Sequence, residues 1–254
     1  ESIIIAVVLA LMFRAYEAKA FIIPTGSMAP SLQGQHMDLE CQNCKLRYRS
    51  GASKENSETN PKKFVDSTYC PICQYKTKVY NTKEPDHKSN NGDRILVNKF
   101  VYDFSEPERY DVIVFKNPND GKQNYIKRLI GLPGDNLLIE NGDIYVMKEV
   151  DGKYEKFITR KPPEKLKNVL QTVDDTNHIG KFLNDVQWPS RWQAFDGSNQ
   201  WTIDNSSKNP VFRSIAQPDA HWLRYRHYQP LKNEWSTISS GILPTRFRNK
   251  KLPL

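Results

Sequence analysis

Tyr125-Ile126-Lys127-Arg128-Leu129-Ile130-Gly131-Leu132-Pro133-Gly134-Asp135 decides how the rest of the chain is read. Its first six residues read as a strand, closed by the turn from Gly131 to Asp135. A lysine inside an otherwise apolar strand is unusual. On a buried face, desolvation would disfavour its ammonium and lower its pKa from about 10.4, leaving a neutral amine available as a base. Upstream, residues 112–115 form an apolar run of strand length followed by the turn Asn117-Pro118-Asn119-Asp120-Gly121. Earlier still, Ile95, Leu96 and Val97 make a short strand after Asn91-Gly92-Asp93. Downstream, residues 137–140 and 144–147 flank Asn141-Gly142, a two-residue hairpin signal. Residues 92–147 are therefore expected to be β-rich.

A base needs a nucleophile. Phe21-Ile22-Ile23-Pro24-Thr25-Gly26-Ser27-Met28-Ala29-Pro30-Ser31-Leu32 sets Ser27 in a turn bounded by glycine and prolines, directly after an apolar run. Gly26 lets backbone approach a substrate closely, and the prolines stiffen the flanks. Such a turn can present a hydroxyl beside free backbone N–H groups, as an oxyanion hole requires. None of His36, His87, His178, His221 or His227 has a comparable setting. A turn serine is ordinarily a cap and a strand lysine ordinarily solvated, so the argument rests on the two together.

Cys41-x2-Cys44 and Cys70-x2-Cys73 use all four cysteines of the chain. Four thiolates so spaced suit tetrahedral zinc, and a closed four-cysteine shell is structural rather than catalytic. Disulfides are the alternative that the spacing leaves open. Pro71 and the cations Lys45, Arg47, Lys76 and Lys78 fit a zinc ribbon. Residues 51–67, with Gly51, Ser53, Ser57, Asn60 and Pro61, read as a polar loop across it.

The composition is that of a folded chain, 38% hydrophobic and 11% aromatic. Its net charge of +8 is unevenly placed: residues 41–90 hold ten Lys or Arg against five Asp or Glu, and residues 221–254 seven against one. Such a surface suits anionic lipid or nucleic acid, and is equally common as a solvated face. Residues 3–13 contain no polar side chain before Arg14. That run is shorter than the ~20 residues that span a bilayer. Residues 1–20 are therefore expected to be a membrane anchor helix truncated upstream, with a removable signal peptide as the alternative. Residues 150–254 carry Trp188, Trp192, Trp201, Trp222 and Trp235 at irregular spacing. They are expected to form a second β-rich lobe, incomplete at its C-terminus, with a helix near residues 161–172.

The serine turn, the lysine strand and two blocks between them resemble bacterial-type signal peptidase I. Ser27-Met28-Ala29-Pro30-Ser31-Leu32 is similar to the family's nucleophile motif, with Ser31 where the family has threonine. Gly92-Asp93-Arg94-Ile95-Leu96-Val97-Asn98-Lys99 resembles its next block and Asp111-Val112-Ile113-Val114-Phe115 its third. The stretch from Tyr125 to Asp135 is similar to the block that holds the catalytic lysine. The resemblance runs from about Val7 to Met147, broken by the cysteine segment. It implies a mainly β fold. An antiparallel catalytic β core at 21–40 and 91–149 would follow the N-terminal membrane helix at 1–20. A small zinc-ribbon-like insertion would occupy 41–90, and the second β-rich lobe 150–254.

The resemblance also implies that Ser27 attacks the scissile carbonyl, Lys127 is the base, and the Ser27 N–H and Thr25 hydroxyl bind the oxyanion. Substrate would lie as an added strand against Phe21, Ile23, Met28, Val114, Tyr125 and Ile126, in shallow pockets that accept Ala-x-Ala. The substrates would be exported preproteins bearing signal peptides. Membrane lipid is a further expected partner and nucleic acid is not. No cofactor is expected for catalysis, and zinc is expected as a structural ion. The catalytic domain would sit on the extracytoplasmic side of the cytoplasmic membrane.

The sequence departs from the family in two ways. The late block Gly-Asp-Asn-x-x-x-Ser-x-Asp-Ser-Arg, whose serine helps hold the lysine, is absent through Leu254. The cysteine insertion is extra, and zinc ribbons are commoner in the cytosol, which keeps disulfides open. Two rivals remain. A self-cleaving repressor-type protease would need a DNA-binding segment and no anchor. A catalytically inactive scaffold would use its ribbon and basic surface, where Tyr48, Tyr69, Tyr75 and Tyr80 sit among Lys and Arg, to bind a protein or nucleic acid.

Overall fold

Short runs of alternating side chains, each ended by a tight turn, make this chain mainly antiparallel β with short helices. The computed structural model describes residues 2–16, 18–56, 64–79, 88–195, 201–204, 211–214 and 220–248. Ser57, Asn60, Pro61, Tyr80 and His87 lie outside the described residues. Two compact units form: residues 1–36, 51–61 and 89–171 in one, and residues 37–50, 62–88 and 172–254 in the other.

In the first unit, helix Ser2–Tyr16 leads to strand Ala18–Ile22, which pairs antiparallel with Arg94–Asn98, Phe21 opposite Ile95. The anchor helix was expected to reach residue 20, but the chain is already a strand at Ala18. Fifteen residues make about 22 Å of helix against a hydrocarbon core of about 30 Å. Among the described residues no helix is long and apolar enough to cross a membrane. Strand Val112–Asn117 pairs with Asp120–Arg128, placing Ile113 opposite Lys127 and Phe115 opposite Tyr125. The second strand begins within the expected turn, so the reversal is tighter than residues 117–121 suggested.

Strands Asn136–Glu140, Asp143–Val150 and Lys153–Ile158 form a three-stranded meander. Both of its turns use left-handed residue pairs, Asn141-Gly142 and Asp151-Gly152, with all four φ between +50° and +89°. These are the dihedrals that keep a two-residue hairpin in step with strand twist. The helix expected near 161–172 is only Pro163–Lys167.

The second unit is built on two hairpins. Strand His36–Glu40 pairs with Arg47–Gly51, and Ser67–Tyr69 with Lys76–Lys78. The Ser50 and Thr68 hydroxyls join the two at 2.8 Å. Cysteines fill both tips and form the unit's core with Ile72, Leu183, Val186, Trp235 and Ile238. Helix Lys181–Asp185 supplies Leu183 and its C-cap Val186, and helix Trp235–Ser239 supplies Trp235 and Ile238. Further pairs, Trp192–Ala194 with Leu223–Tyr225 and Trp201–Asp204 with Val211–Ser214, complete the described β structure of this unit.

Returning to the first unit, the Gly131–Asp135 turn is held by one carboxylate. Asp135 Oδ2 accepts the Leu132 N–H at 2.6 Å and Arg109 Nη2 at 2.6 Å, while Arg109 Nη1 donates to the Ile130 carbonyl. The Leu132 amide first, and then Arg109, hold the Asp135 pKa below the usual carboxylate value. A depressed folded pKa stabilises above the unfolded value near 3.9, and the gain is lost as pH falls through the folded value. Asp135→Asn should therefore lower the unfolding midpoint at neutral pH, and the gap from wild type should close below about pH 4. Denaturation across pH 2–8 checks this, and a gap independent of pH would contradict it.

Candidate functional site

Ser27 stands on one 3-10 turn, Gly26–Met28. The apolar run that precedes it does structural work: Ile23 is 2% exposed and Met28 5%. These two side chains therefore face the core, not an accessible wall, because the turn needs an apolar anchor on each side. Backbone crosses backbone here. A Cβ on Gly34 would fall 2.2 Å from the Thr25 carbonyl carbon, and one on Gly92 1.8 Å from the Ile23 carbonyl oxygen, so both positions require glycine. Asp93 ties the crossing. Its carbonyl accepts the Ile23 N–H at 2.9 Å, and its carboxylate accepts the Gln33 N–H at 2.7 Å.

Lys127 reaches this turn from strand Asp120–Arg128. Its Nζ donates to Ser27 Oγ at 3.0 Å, a contact between residues 100 positions apart. The same ammonium lies 5.6 Å from the Tyr125 ring centroid, and Tyr125 packs edge-on against Phe115. Lys127 and Ser27 are both exposed. The buried strand face expected of Lys127 is not found: among the described residues its hairpin is a two-stranded ribbon with no third strand hydrogen-bonded to it. Thr25, extended at φ −123° and ψ 151°, immediately precedes the turn, and its side chain does not cap it. Phe21, Val114 and Ile126 are half-buried and Tyr125 is exposed.

Sequence reasoning missed the frame around the pair. Gly34 and Asp93 could be read only as turn residues. Arg128 is half-buried and bonded to Ser31 and the Tyr110 carbonyl. A cavity of about 500 Å³ in the second unit, walled by Trp188, Trp192, Ile203 and Phe212 among others, includes neither Ser27 nor Lys127.

The four cysteines come together as the second site. Each CxxC forms the tip of its hairpin in the same way. Cys41 N–H bonds the Leu46 carbonyl as Cys70 N–H bonds that of Tyr75, and Lys45 and Gln74 follow with φ of 61° and 59°. All four thiols are free and buried, with Sγ atoms within 4.8 Å of one another. Cys41–Cys73 and Cys44–Cys70 sulfurs are 3.6 Å apart. That is far from a disulfide bond of about 2.05 Å and close to the ~3.8 Å edge of a tetrahedron with ~2.3 Å metal–sulfur bonds. Hydrogen bonds with Cys44, Cys70 and Cys73 drive the Cys41 pKa well below the usual thiol range, while those with Cys41, Cys44 and Cys70 push Cys73 above it. The group can thus carry negative charge that a cation would neutralise.

Residues 172–254 grip both tips. Phe182 N–H donates to Asn43 Oδ1 at 3.2 Å, at the start of helix Lys181–Asp185. Arg191 Nη2 donates to the Ile72 carbonyl at 3.1 Å, and Gln229 Nε2 to that of Pro71 at 2.9 Å.

A serine hydroxyl held against a lysine amine is the pairing of serine hydrolases that use lysine as their base. The family described as signal peptidase, peptidase S26, matches residues 72–186, a span that contains Lys127 and not Ser27. Signal peptidase I of Bacillus caldolyticus is 44% identical over 64 residues, covering 25% of this chain and 34% of that one. The Pseudomonas aeruginosa enzyme of the same name is 40% identical over 78 residues, 23% of this chain and 28% of its own. That of Rickettsia typhi is 56% identical over 41 residues, 16% of each. The chain thus spans about a third or less of the length of these relatives. No solved structure matches it. Over these spans the chain is similar to signal peptidase I.

Gly34→Ala should push the Thr25–Gly26 backbone aside and lower stability by about 1–3 kcal/mol. Thermal unfolding measures this, and an unchanged midpoint would contradict the crossing described.

Proposed function

We propose that this chain is the catalytic part of a membrane-bound serine endopeptidase that removes N-terminal signal peptides from exported preproteins. The observation that carries the reading is the 3.0 Å contact between Lys127 Nζ and Ser27 Oγ, made across 100 residues. In the forward step Ser27 Oγ attacks the scissile carbonyl while Lys127, uncharged, takes its proton. The oxyanion that forms accepts from the Ser27 N–H and the Thr25 hydroxyl. Lys127 then returns the proton to the departing amine. A water, activated by the same amine, releases the acyl group from Ser27.

The preprotein lies as an added strand beside Asp120–Arg128, whose edge is free among the described strands, with Phe21, Val114, Tyr125 and Ile126 along it. Ile23 and Met28 support this wall from beneath. A base amine must be uncharged, and loss of solvent favours that form. The substrate strand, laid over exposed Lys127, supplies part of that cover. Exposed apolar residues of helix Ser2–Tyr16, Ile3 to Ile5 and Val7 to Leu9 among them, contact lipid on the cytoplasmic membrane, with the catalytic unit on its extracytoplasmic side.

Cys41, Cys44, Cys70 and Cys73 would hold one structural zinc ion, as a zinc ribbon does, and the ion would supply fold rather than chemistry. A second reading, a catalytically inactive scaffold that binds a protein or nucleic acid through its ribbon and basic surface, is favoured by the exposure of Lys127.

The full chain in detergent, offered a precursor with an Ala-x-Ala signal peptide, should cut after the second alanine. Ser27→Ala and Lys127→Met should each lose at least ~10³-fold in rate. An intact precursor with the folded wild-type chain would leave the scaffold reading standing. Elemental analysis should find one zinc per chain. Its removal by a strong chelator should abolish the near-ultraviolet circular dichroism of Trp235, which packs on the cysteine core. Retention of that signal in the metal-free chain would contradict a structural zinc.

A further inference from the structure

Four residues beyond the nucleophile, the Ser31 hydroxyl bonds two distant elements, donating to one and accepting from the other. Its Oγ donates to the Asn168 carbonyl at 2.5 Å and accepts Arg128 Nη2 at 3.0 Å. Arg128 is the neighbour of Lys127, and its other arm donates to the Tyr110 carbonyl at 2.9 Å. Asn168 ends helix Pro163–Lys167.

That helix is itself pinned. Lys165 Nζ donates to Asp111 Oδ1 at 2.8 Å, Glu108 Oε2 at 3.0 Å and the Arg109 carbonyl at 3.2 Å. Burial works against the Asp111 carboxylate, yet Lys165 and the Glu108 amide outweigh it and hold its pKa below the usual value. Residues 108–111 lead into the strand paired with that of Lys127. The contacts therefore close a ring: Ser31 to Asn168, through the short helix and Lys165 to the 108–111 segment, and back through Tyr110 and Arg128 to Ser31.

We infer that Ser31 is a positioning residue, which fixes the turn carrying Ser27 at its distance from Lys127. Ser27 and Lys127 are joined directly only by their own hydrogen bond among the described contacts, and both side chains are exposed. Neither is locked by packing, so their separation is set by the backbones that bear them. The turn is stiff from Ser27 to Ser31: Ala29 N–H bonds the Gly26 carbonyl at 3.1 Å, and Leu32 N–H that of Met28 at 3.0 Å. A tether at Ser31 is thereby felt at Ser27. The other end of the tether is Arg128, one residue from Lys127, so the clamp grips one half of the pair through its neighbour and the other through the turn that bears it. Residues 163–168 thus brace the serine–lysine pair from within this chain, a task the sequence alone gives no reason to place there.

The inference rests on the proposed peptidase activity, and the test separates the two. Wild type, Ser27→Ala, Ser31→Ala and Ser31→Thr are compared as full chains in detergent, by steady-state cleavage of an Ala-x-Ala precursor and by thermal unfolding. Ser31→Ala should lower kcat about 10- to 100-fold with KM within about twofold, the consequence of a pair misplaced by up to an ångström. Ser31→Thr, which keeps the hydroxyl, should restore most of that rate. Equal losses in Ser31→Ala and Ser31→Thr, an unchanged kcat in Ser31→Ala, or a rate loss accounted for by unfolding at the assay temperature would each overturn the role. A wild-type chain as inert as Ser27→Ala would refute the peptidase activity itself, and with it any catalytic consequence of the clamp.

Discussion

One hydrogen bond, from Lys127 Nζ to Ser27 Oγ, gives the first unit its chemical meaning, and most of what surrounds it exists to make it possible. Ser27 arrives on the 3-10 turn that follows one antiparallel pair, and Lys127 on a strand of another. Nothing in either strand's local geometry brings them together. The approach is made by backbone crossings that tolerate no Cβ at Gly34 or Gly92, by the Asp93 carboxylate that pins the crossing chain, and by apolar anchors at Ile23 and Met28. Glycine is costly in conformational entropy, and its use at two adjoining crossings fits a site where closeness of backbone matters more than local stability.

The second unit depends on a different constraint. Four buried cysteines lie at its centre, and aromatic and aliphatic side chains from residues 182–243 pack with them in one core. Tyr75 meets Trp235 edge-on at 5.0 Å, and Trp188 meets Phe247 at 4.9 Å, so the ring system of this unit extends outward from the cysteine hairpins. Carbonyls of the second CxxC are held by Arg191 and Gln229, while Asn43 of the first caps a helix. Cysteine chemistry and the fold of the C-terminal segment are therefore one problem in this unit.

What could be read from the chain was what is local. The strands near 112–115, 137–140 and 144–147 announce themselves by apolar runs and an Asn-Gly turn, and both CxxC pairs by their spacing. Strand Lys153–Ile158 was missed because every residue in it is exposed, leaving no one-sided pattern to see. The exposure of Lys127 was misjudged for a related reason: whether a strand face is covered is decided by other elements, and the hairpin here stays a two-stranded ribbon. Asn168 and Asn43 act on partners 137 and 139 residues away, and no local signal reports such a contact. The serine and lysine were legible only as a pair, through the order of the four blocks that contain them.

The most direct test of the account is covalent. A peptide ester carrying an Ala-x-Ala acyl group, mixed with the chain and quenched in acid, would be followed by intact mass and peptide mapping. The account predicts an acyl adduct on the Ser27 peptide of wild type and none in Lys127→Met. An adduct formed equally without the Lys127 amine, or carried by a residue other than Ser27, would contradict it.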